Sequence, residues 1–455
     1  MKRYSQYKDS GIEWIGEIPE HWGVTRFKYK VFFKNGYAFK SNLYEEEGVP
    51  IIRIGDISEN FQLKNTKKVP IEIYESTKEF EVKNGDVLLA LTGATIGKSS
   101  MFKENYPALL NQRVALIRNK NKVYQKFIFY LINTHAFREY VYLHCDGGAQ
   151  ENIGTSEVGE FSIPDIPNRD LSSLVKYLDT KTAQIGHLIQ LKERKIELLK
   201  EKRQALINET VTKGLDPSVP MKDSGVEWIG EIPEHWGIYP LKYIIRNLKS
   251  GVSVNSEDSP VTSNEEIGVL KTSCVYGDEF RPSENKRVIT SEYDRVKCKV
   301  IGDNIIISRM NTPQLVGSNA YIDNTYHNLF LPDRLWITEF HENIDLSVKW
   351  LSYFLKSDKF RTTLSSRATG TSPSMKNITK DDFLTMPIPF YQLNEQHKIA
   401  NYLDEYISEI ESLLHLEQNK IDLLKEYRQS LISEVVTGKI RVCEEDVSTH
   451  QTQNV

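Results

Sequence analysis

Three stretches of the chain carry residue types that could do chemistry. "TGATIGKSS" (Thr92 to Ser100) invites comparison with a phosphate-cradling loop. Such loops place four residues between their first Gly and the Gly-Lys pair, whereas three separate Gly93 from Gly97. The following "MFKENYP", with Pro107, lacks the pattern of the helix that a nucleotide loop requires, so nucleotide hydrolysis is not expected. Asp165, in a Pro-Asp pair, and Glu193, in "ERK", could pass for the metal-binding carboxylates of a nuclease. Glu13, Glu17, Glu20 and His21, all within "KDSGIEWIGEIPEHWG" (Lys8 to Gly23), could serve acid–base catalysis.

The elements that would position these residues argue against all three. "KDSGVEWIGEIPEHWG" recurs at Lys222 to Gly237, 214 residues further on, with Val226 in place of Ile12. It opens a longer internal repeat. "NGDVLLALTG" (Asn84 to Gly93) answers "IGDNIIISRM" (Ile301 to Met310), and "LNQRVAL" (Leu110 to Leu116) answers "LPDRLWI" (Leu331 to Ile337). Each member of these pairs reads as a buried strand. Strong similarity returns at Tyr177 to Gly214, which matches Tyr402 to Lys439 at a constant offset of 225. In the second copy Gln418 stands where Glu193 does and Asp165 falls in a Pro-Phe pair, so the nuclease carboxylates are not repeated. The duplicated segment opens each half. Trp14, Ile18 and Trp22 therefore read as packing anchors, Pro19 and Gly23 as setters of chain direction, and His21 and His235 as packing residues.

The order is thus A-B-A′-B′, with B kept alike and A allowed to differ. The B segments contain no Pro and are dense in Leu, Ile, Glu, Lys, Gln and Arg, which predicts helices. Apolar residues at Ile185, Ile189, Ile196, Leu199 and Leu206, and again at Ile410, Leu414, Ile421, Leu424 and Leu431, alternate threes and fours across sevens. That is a coiled-coil seam, interrupted by Lys192 and Arg203 in one copy and by Glu417 and Arg428 in the other. The opposite charges of Lys192 and Glu417 imply that the seams pack on each other. The alternative is that each helix packs only on its own A domain.

A chain of 455 residues predicts two or three domains. The net charge of −4 does not favour a nucleic-acid binder overall, but basic faces are a local property. No apolar run is long enough to span a membrane, and the start lacks a leader pattern, so a cytoplasmic location is expected. Cys145, Cys274, Cys298 and Cys443 show neither disulfide nor zinc spacing; reduced thiols and no metal are expected. No HExxH, GxSxG or GxGxxG occurs, nor the Asn-Pro-Pro-aromatic tetrapeptide of an amino-methyltransferase.

The duplicated "WIGEIPEHWG", "TGATIGKS" with "NQRVAL", "NEQHKIANYLDEYISEIE" and "KIDLLKEYRQSLISEVVTGK" together resemble the specificity subunit of type I restriction-modification systems. The resemblance runs from residue 1 to about 441. It implies an α+β fold: two α/β target-recognition domains in pseudo-two-fold repeat, separated by two long antiparallel coiled-coil helices. The boundaries expected are a first recognition domain at 1–170, a central spacer helix at 171–215, a second recognition domain at 216–395, a distal spacer helix at 396–440 and a disordered tail at 441–455.

In functional terms the resemblance implies a non-catalytic DNA-reading subunit. Each recognition domain reads half of a bipartite double-stranded DNA target, and the helices set the half-site spacing. Two modification subunits dock on it, carrying S-adenosylmethionine and methylating adenine, and ATP- and Mg-dependent restriction subunits join the full complex. Two alternatives stay open: a self-contained methyltransferase or nuclease with an unrecognised site, and a coiled-coil adaptor that does not bind DNA. Two departures stand out. "NRDLSSLVKYLD" replaces the family-like "NEQHKIANYLD" in the first half, and "SRMNTPQLVG" replaces "LTGATIGKSS" in the second, which predicts a differently built second surface.

Bases are read by Arg on guanine and by Asn or Gln on adenine, while Lys, Ser and backbone amides hold phosphates. The candidates are Lys98, Ser99, Gln150 and Asn152 in the first domain, and Arg309, Ser374, Lys376 and Asn377 in the second. Gly147, Gly148 and Gly370 read as turn formers. The basic run Lys192, Arg194, Lys195, Lys200, Lys202 and Arg203, mixed with Glu193, Glu197 and Glu201, reads either as a solvated helix face or as a docking surface for the modification subunits.

Overall fold

The computed structural model describes residues 3–58, 66–145, 151–277, 279–372 and 375–442. The tail expected to be disordered lies, from residue 443, outside the described residues. Two compact units emerge: residues 1–193 with 419–455, and residues 194–418. Two long helices, Asn168–Lys213 and Leu393–Val436, each contribute to both units. They start three residues before the positions expected from sequence and end at 213 and 436 rather than 215 and 440.

In the first unit the strands Phe32–Asn35, Val114–Arg118, Val87–Ala90 and Ser99–Met101 form an antiparallel sheet in that order. A second sheet orders Lys68–Val69, Val49–Ile52, Ala108–Leu110 and Glu81–Val82, with Leu109 parallel to Ile51. All four residues of Val87–Ala90 are buried, which is why this strand reads as a continuous apolar run rather than an alternating one. Leu88, Ala90, Leu110, Val114 and Leu116 share one core cluster with Ile52 and Phe102.

The second unit repeats the plan. Ile245–Ser250, Leu335–Phe340, Asn304–Ser308 and Asn319–Ile322 form the antiparallel sheet. The mixed sheet has five strands, with Gly268 parallel to Leu329. It also has a three-stranded sheet of Met310–Asn311, Met375–Asn377 and Thr369–Ser372. In the first unit the described residues show a single bridge, Thr92 to Asn152, at the corresponding place.

Each unit packs a short amphipathic helix on its antiparallel sheet, Lys122–Ile132 in one and Val348–Lys356 in the other. Side-chain caps start both: Asn121 accepts from the Val123 and Tyr124 amides, and Ser347 from the Trp350 amide. In the second unit Leu206, Ile207 and Val211 of the first long helix join Ile399, Ala400 and Leu403 of the second in one core with Trp236, Leu241, Trp350 and Phe354. The first long helix thus packs on the domain after it in the chain, not only on the one before. Within this unit the two helices run antiparallel, because Lys195 meets Glu417 at 2.9 Å and Arg203 meets Glu411 further along.

Candidate nucleic-acid interface

In each unit a loop leaves the inner strand of the antiparallel sheet and returns through a left-handed glycine. Gly97 (φ +76°) donates its amide to Ala90 O at 3.0 Å, and Gly317 (φ +79°) donates to Ser308 O at 2.8 Å. A distant segment closes each loop. Asn152 bridges Thr92, with the Gly93 amide on Glu151 O at 2.9 Å; Asn377 pairs with Met310, with the Ile378 amide on Arg309 O at 2.9 Å. The first loop leads into the strand Ser99–Met101 rather than into a helix, so the phosphate-loop comparison fails structurally as well.

This geometry brings Lys98 and Asn152, both exposed, to one loop cluster, and Arg309, Lys376 and Asn377 to the other. Arg309 lies over the Trp336 ring at 5.9 Å, and its buried Nε has no hydrogen-bond partner among the described residues. Asn377 Oδ1 is likewise buried and unpartnered. Ser99 is corrected: it is 5 % exposed, turned inward at the start of its strand, and its hydroxyl does not face solvent where a phosphate could reach it. Gln150, Ser374, Gly147 and Gly148 lie outside the described residues.

Of the seam residues, Ile185, Ile189, Ile410, Ile421 and Leu431 are buried, while Ile196, Leu199, Leu206, Leu414 and Leu424 are half-buried. Seam charges take partners across the helix pair: Glu417, 2 % exposed, receives Lys195, and Arg203 reaches Glu411. Arg194 pairs with Glu197 at 2.9 Å along its own helix, so part of the basic run is a self-paired face. Glu193 stands 25 residues into a helix whose first residue is Asn168, roughly 37 Å along its axis. Asp165, before that helix, pairs with Lys30 at 2.7 Å, so the two carboxylates share no site.

The duplicated segment is a joint. Trp22 Nε1 donates to Asp170 Oδ2 at 2.8 Å and His21 Nε2 lies 2.6 Å from the same oxygen, in the first turn of the first long helix. Trp236 Nε1 donates to Glu395 Oε1 at 3.2 Å and His235 lies 2.9 Å from Oε2, in the first turn of the second. Trp22 also abuts Gly438, and Trp236 abuts Gly214, the residues that end the long helices. Trp14 is half-buried, stacked on Phe161 at 4.9 Å, with its indole N–H on Ser162 O.

A second joint carries a fainter mark in the sequence. Tyr130 donates to Asp179 at 2.7 Å and Lys126 pairs with the same carboxylate at 2.6 Å. Tyr353 donates to Asp404 at 2.6 Å and Lys349 joins it at 2.6 Å. Burial, with the adjacent carboxylate, pushes both tyrosine hydroxyls well above their ordinary range, so they remain donors at any physiological pH. From the opposite long helix Gln429 donates to Asn133 O at 2.6 Å and Gln204 to Lys356 O at 3.1 Å, capping the same short helices. The mark is a Lys-x-x-x-Tyr spacing common to both short helices, together with the Asp of both "YLD" tripeptides, and the apolar period of the helices does not point to it.

Comparison with known proteins bears on this duplicated plan. The family model described as the type I restriction modification DNA specificity domain matches twice, at residues 19–206 and 233–423. The chain belongs to this family. A Methanocaldococcus jannaschii chain assigned as the MjaX type I restriction enzyme specificity subunit is 26 % identical over 446 residues, covering 94 % of this chain and 96 % of that one. The EcoKI specificity subunit of Escherichia coli is 19 % identical, covering 93 % and 90 %. A solved chain from a type I R-M system shares the fold with a TM-score of 0.64 at 16 % identity, covering 93 % of this chain and 99 % of that one. A specificity role within the family therefore falls to two DNA specificity domains, each carrying one loop cluster. No helix among the described residues is long and apolar enough to cross a membrane.

Proposed function

We propose that each unit reads one half of a bipartite duplex DNA target through its loop cluster. The observation that carries this is the contrast between scaffold and loop. Two units share sheets, short helix and both joints, yet differ in the residues of the loops at Leu91–Lys98 and Arg309–Ser318, as two readers of unlike half-sites would. In this reading the long helices set the gap between half-sites, and a split site read from one face of the duplex calls for such a spacer.

Two modification subunits would dock on the helices. Supporting this, the first unit exposes Leu188, Leu191 and Leu423 and the second exposes Leu198 and Leu416, so both offer apolar contact from both helices. Methyl transfer to adenine belongs in this proposal to those partners, which bring S-adenosylmethionine; restriction subunits bring ATP and Mg, and the chain itself is a non-catalytic cytoplasmic subunit. Methylome sequencing of cells carrying the chain with its modification subunits tests the reading. The expected result is methyladenine in a two-part motif with an unspecified gap. An undivided motif, or methylation by the purified chain alone, would overturn it.

A further inference from the structure

We infer that Arg113 and Arg334 are paired phosphate anchors, the contact that sets each reading unit in register on the DNA backbone irrespective of sequence. The inference rests on the reading of the units as DNA readers and names the common part of their grip.

The two arginines occupy the same place. Each lies in the turn that carries the chain from the mixed sheet to the antiparallel sheet, between Leu110 and Val114 in one unit and between Phe330 and Leu335 in the other. Each gives its backbone carbonyl to the reading loop: the Leu91 amide donates to Arg113 O at 3.0 Å, and the Arg309 amide donates to Arg334 O at 3.1 Å. The turn is also fixed from below by a glycine in each copy. A Cβ on Gly36 would lie 2.3 Å from Leu110 O, and one on Gly251 would lie 1.6 Å from Leu331 O, so only glycine admits the approach. The turn is therefore held on two sides, by glycine at its start and by the loop amide on the arginine carbonyl at its end, in both units.

Their side chains are the part without a structural task. Lys126 and Lys349, and Tyr130 and Tyr353, are also shared, and each reaches an aspartate of a long helix. Gly97 and Gly317 turn the loops. Arg113 and Arg334 are exposed, and neither has an ion-pair partner among the described residues. Two unpaired guanidinium groups carried on a fixed backbone, kept where the surrounding loop residues differ, suit a feature common to unlike half-sites. The feature that every duplex shares is its phosphate backbone.

The test uses the full chain assembled with its modification subunits and a duplex carrying the methylome-derived target, titrated over a range of salt. Arg113→Ala and Arg334→Ala should each weaken binding about tenfold. Each should flatten the slope of log affinity against log salt by about 0.9, the share of one phosphate. The methylation motif should stay unchanged. Arg113→Lys should restore most of the affinity, because an ammonium holds a phosphate as a point charge but does not reproduce a bidentate guanine contact. A motif relaxed at one base, unaltered affinity and slope in the Ala variants, or failure of Lys to restore binding would each overturn the inference. Failure of the unmutated complex to prefer its target over random duplex would instead overturn the DNA-reading proposal itself.

Discussion

Gly214→Ala and Gly438→Ala separate two steric costs at the ends of the long helices. Gly438 closes the second helix in a Schellman motif, with the Lys439 amide on Glu434 O at 2.8 Å and its own amide on Val435 O at 3.1 Å. Gly214 closes the first with a single bond, its amide on Thr210 O at 3.0 Å. Both are left-handed, φ +75° and +77°, so alanine at either costs about 1–2 kcal/mol from backbone alone. At Gly214 the new Cβ would meet Trp236 Cζ2 at 3.3 Å, an overlap that asks for a displacement of only a few tenths of an ångström. At Gly438 it would lie 2.6 Å from Pro19 Cδ and 2.8 Å from Trp22 Cζ3. Trp22 is 1 % exposed and tethered to Asp170, so it has nowhere to move. Overpacking of this kind adds about 1–3 kcal/mol, which puts Gly438→Ala at about 2–5 kcal/mol. A global melting midpoint would mix two units, so the assay is amide hydrogen exchange at Val87–Ala90 for one and Asn304–Ser308 for the other. Gly438→Ala should speed the first set at least about thirtyfold and spare the second, while Gly214→Ala accelerates the second more mildly. Equal effects of the two variants, or a Gly438→Ala effect in 304–308, would refute the steric account.

The joints and the helices give three further outcomes. Tyr353→Phe removes a hydrogen bond to a charged acceptor that keeps Lys349, so a loss of about 1.5 kcal/mol is expected, the low end for such bonds; a double-mutant cycle with Asp404→Asn should show coupling, and additivity would reject the joint. Glu266 is held down to about 2 by the Thr262 amide and Arg287, so its stabilising effect is complete above its ordinary value of 4.5 and lost as pH falls through about 2; the gap in denaturation midpoint between the protein and Glu266→Gln should close over that window, and a constant gap would exclude the linkage. Deleting seven residues, two turns, from each long helix shortens each by roughly 10.5 Å, and the methylated motif should lose about three base pairs of its gap; an unchanged gap would remove the helices as spacers.

How much of the molecule is legible in its sequence depends on the range of the interactions. The long helices declare themselves because a seven-residue apolar period is local, and Ile185, Ile189, Ile410, Ile421 and Leu431 are buried where that period placed them. The period says less about ends and neighbours. Ile207 and Val211 are buried against Trp236 and Leu241 of the following domain, a face that the seam pattern does not mark. The loop clusters are only half legible for the same reason. Lys98 and Arg309 announce themselves beside turn residues, but Asn152 meets Thr92 across some sixty residues, through a bridge that no local pattern encodes. Ser99 misleads because a hydroxyl after a Gly-Lys pair looks exposed, whereas strand pairing with Leu89 turns it inward.

The near-identity of the duplicated segment can be traced to the number of its obligations. Trp22 must fit Asp170 at the start of one long helix and Gly438 at the end of the other, and Trp236 must fit Glu395 and Gly214 in the same way. A substitution there has to be matched in two other segments at once. The loops between Leu91 and Lys98 and between Arg309 and Ser318 owe their form to a glycine turn, one backbone contact below and one bridge above, all satisfied by main-chain atoms. The side chains that face outward, Ala94 and Lys98 in one loop and Gln314 in the other, are therefore released from the fold and can vary, whereas Leu91, Asn311 and Val316 are buried and tied to it. A scaffold that holds its readers by backbone and its joints by side chains allows recognition to change without disturbing assembly.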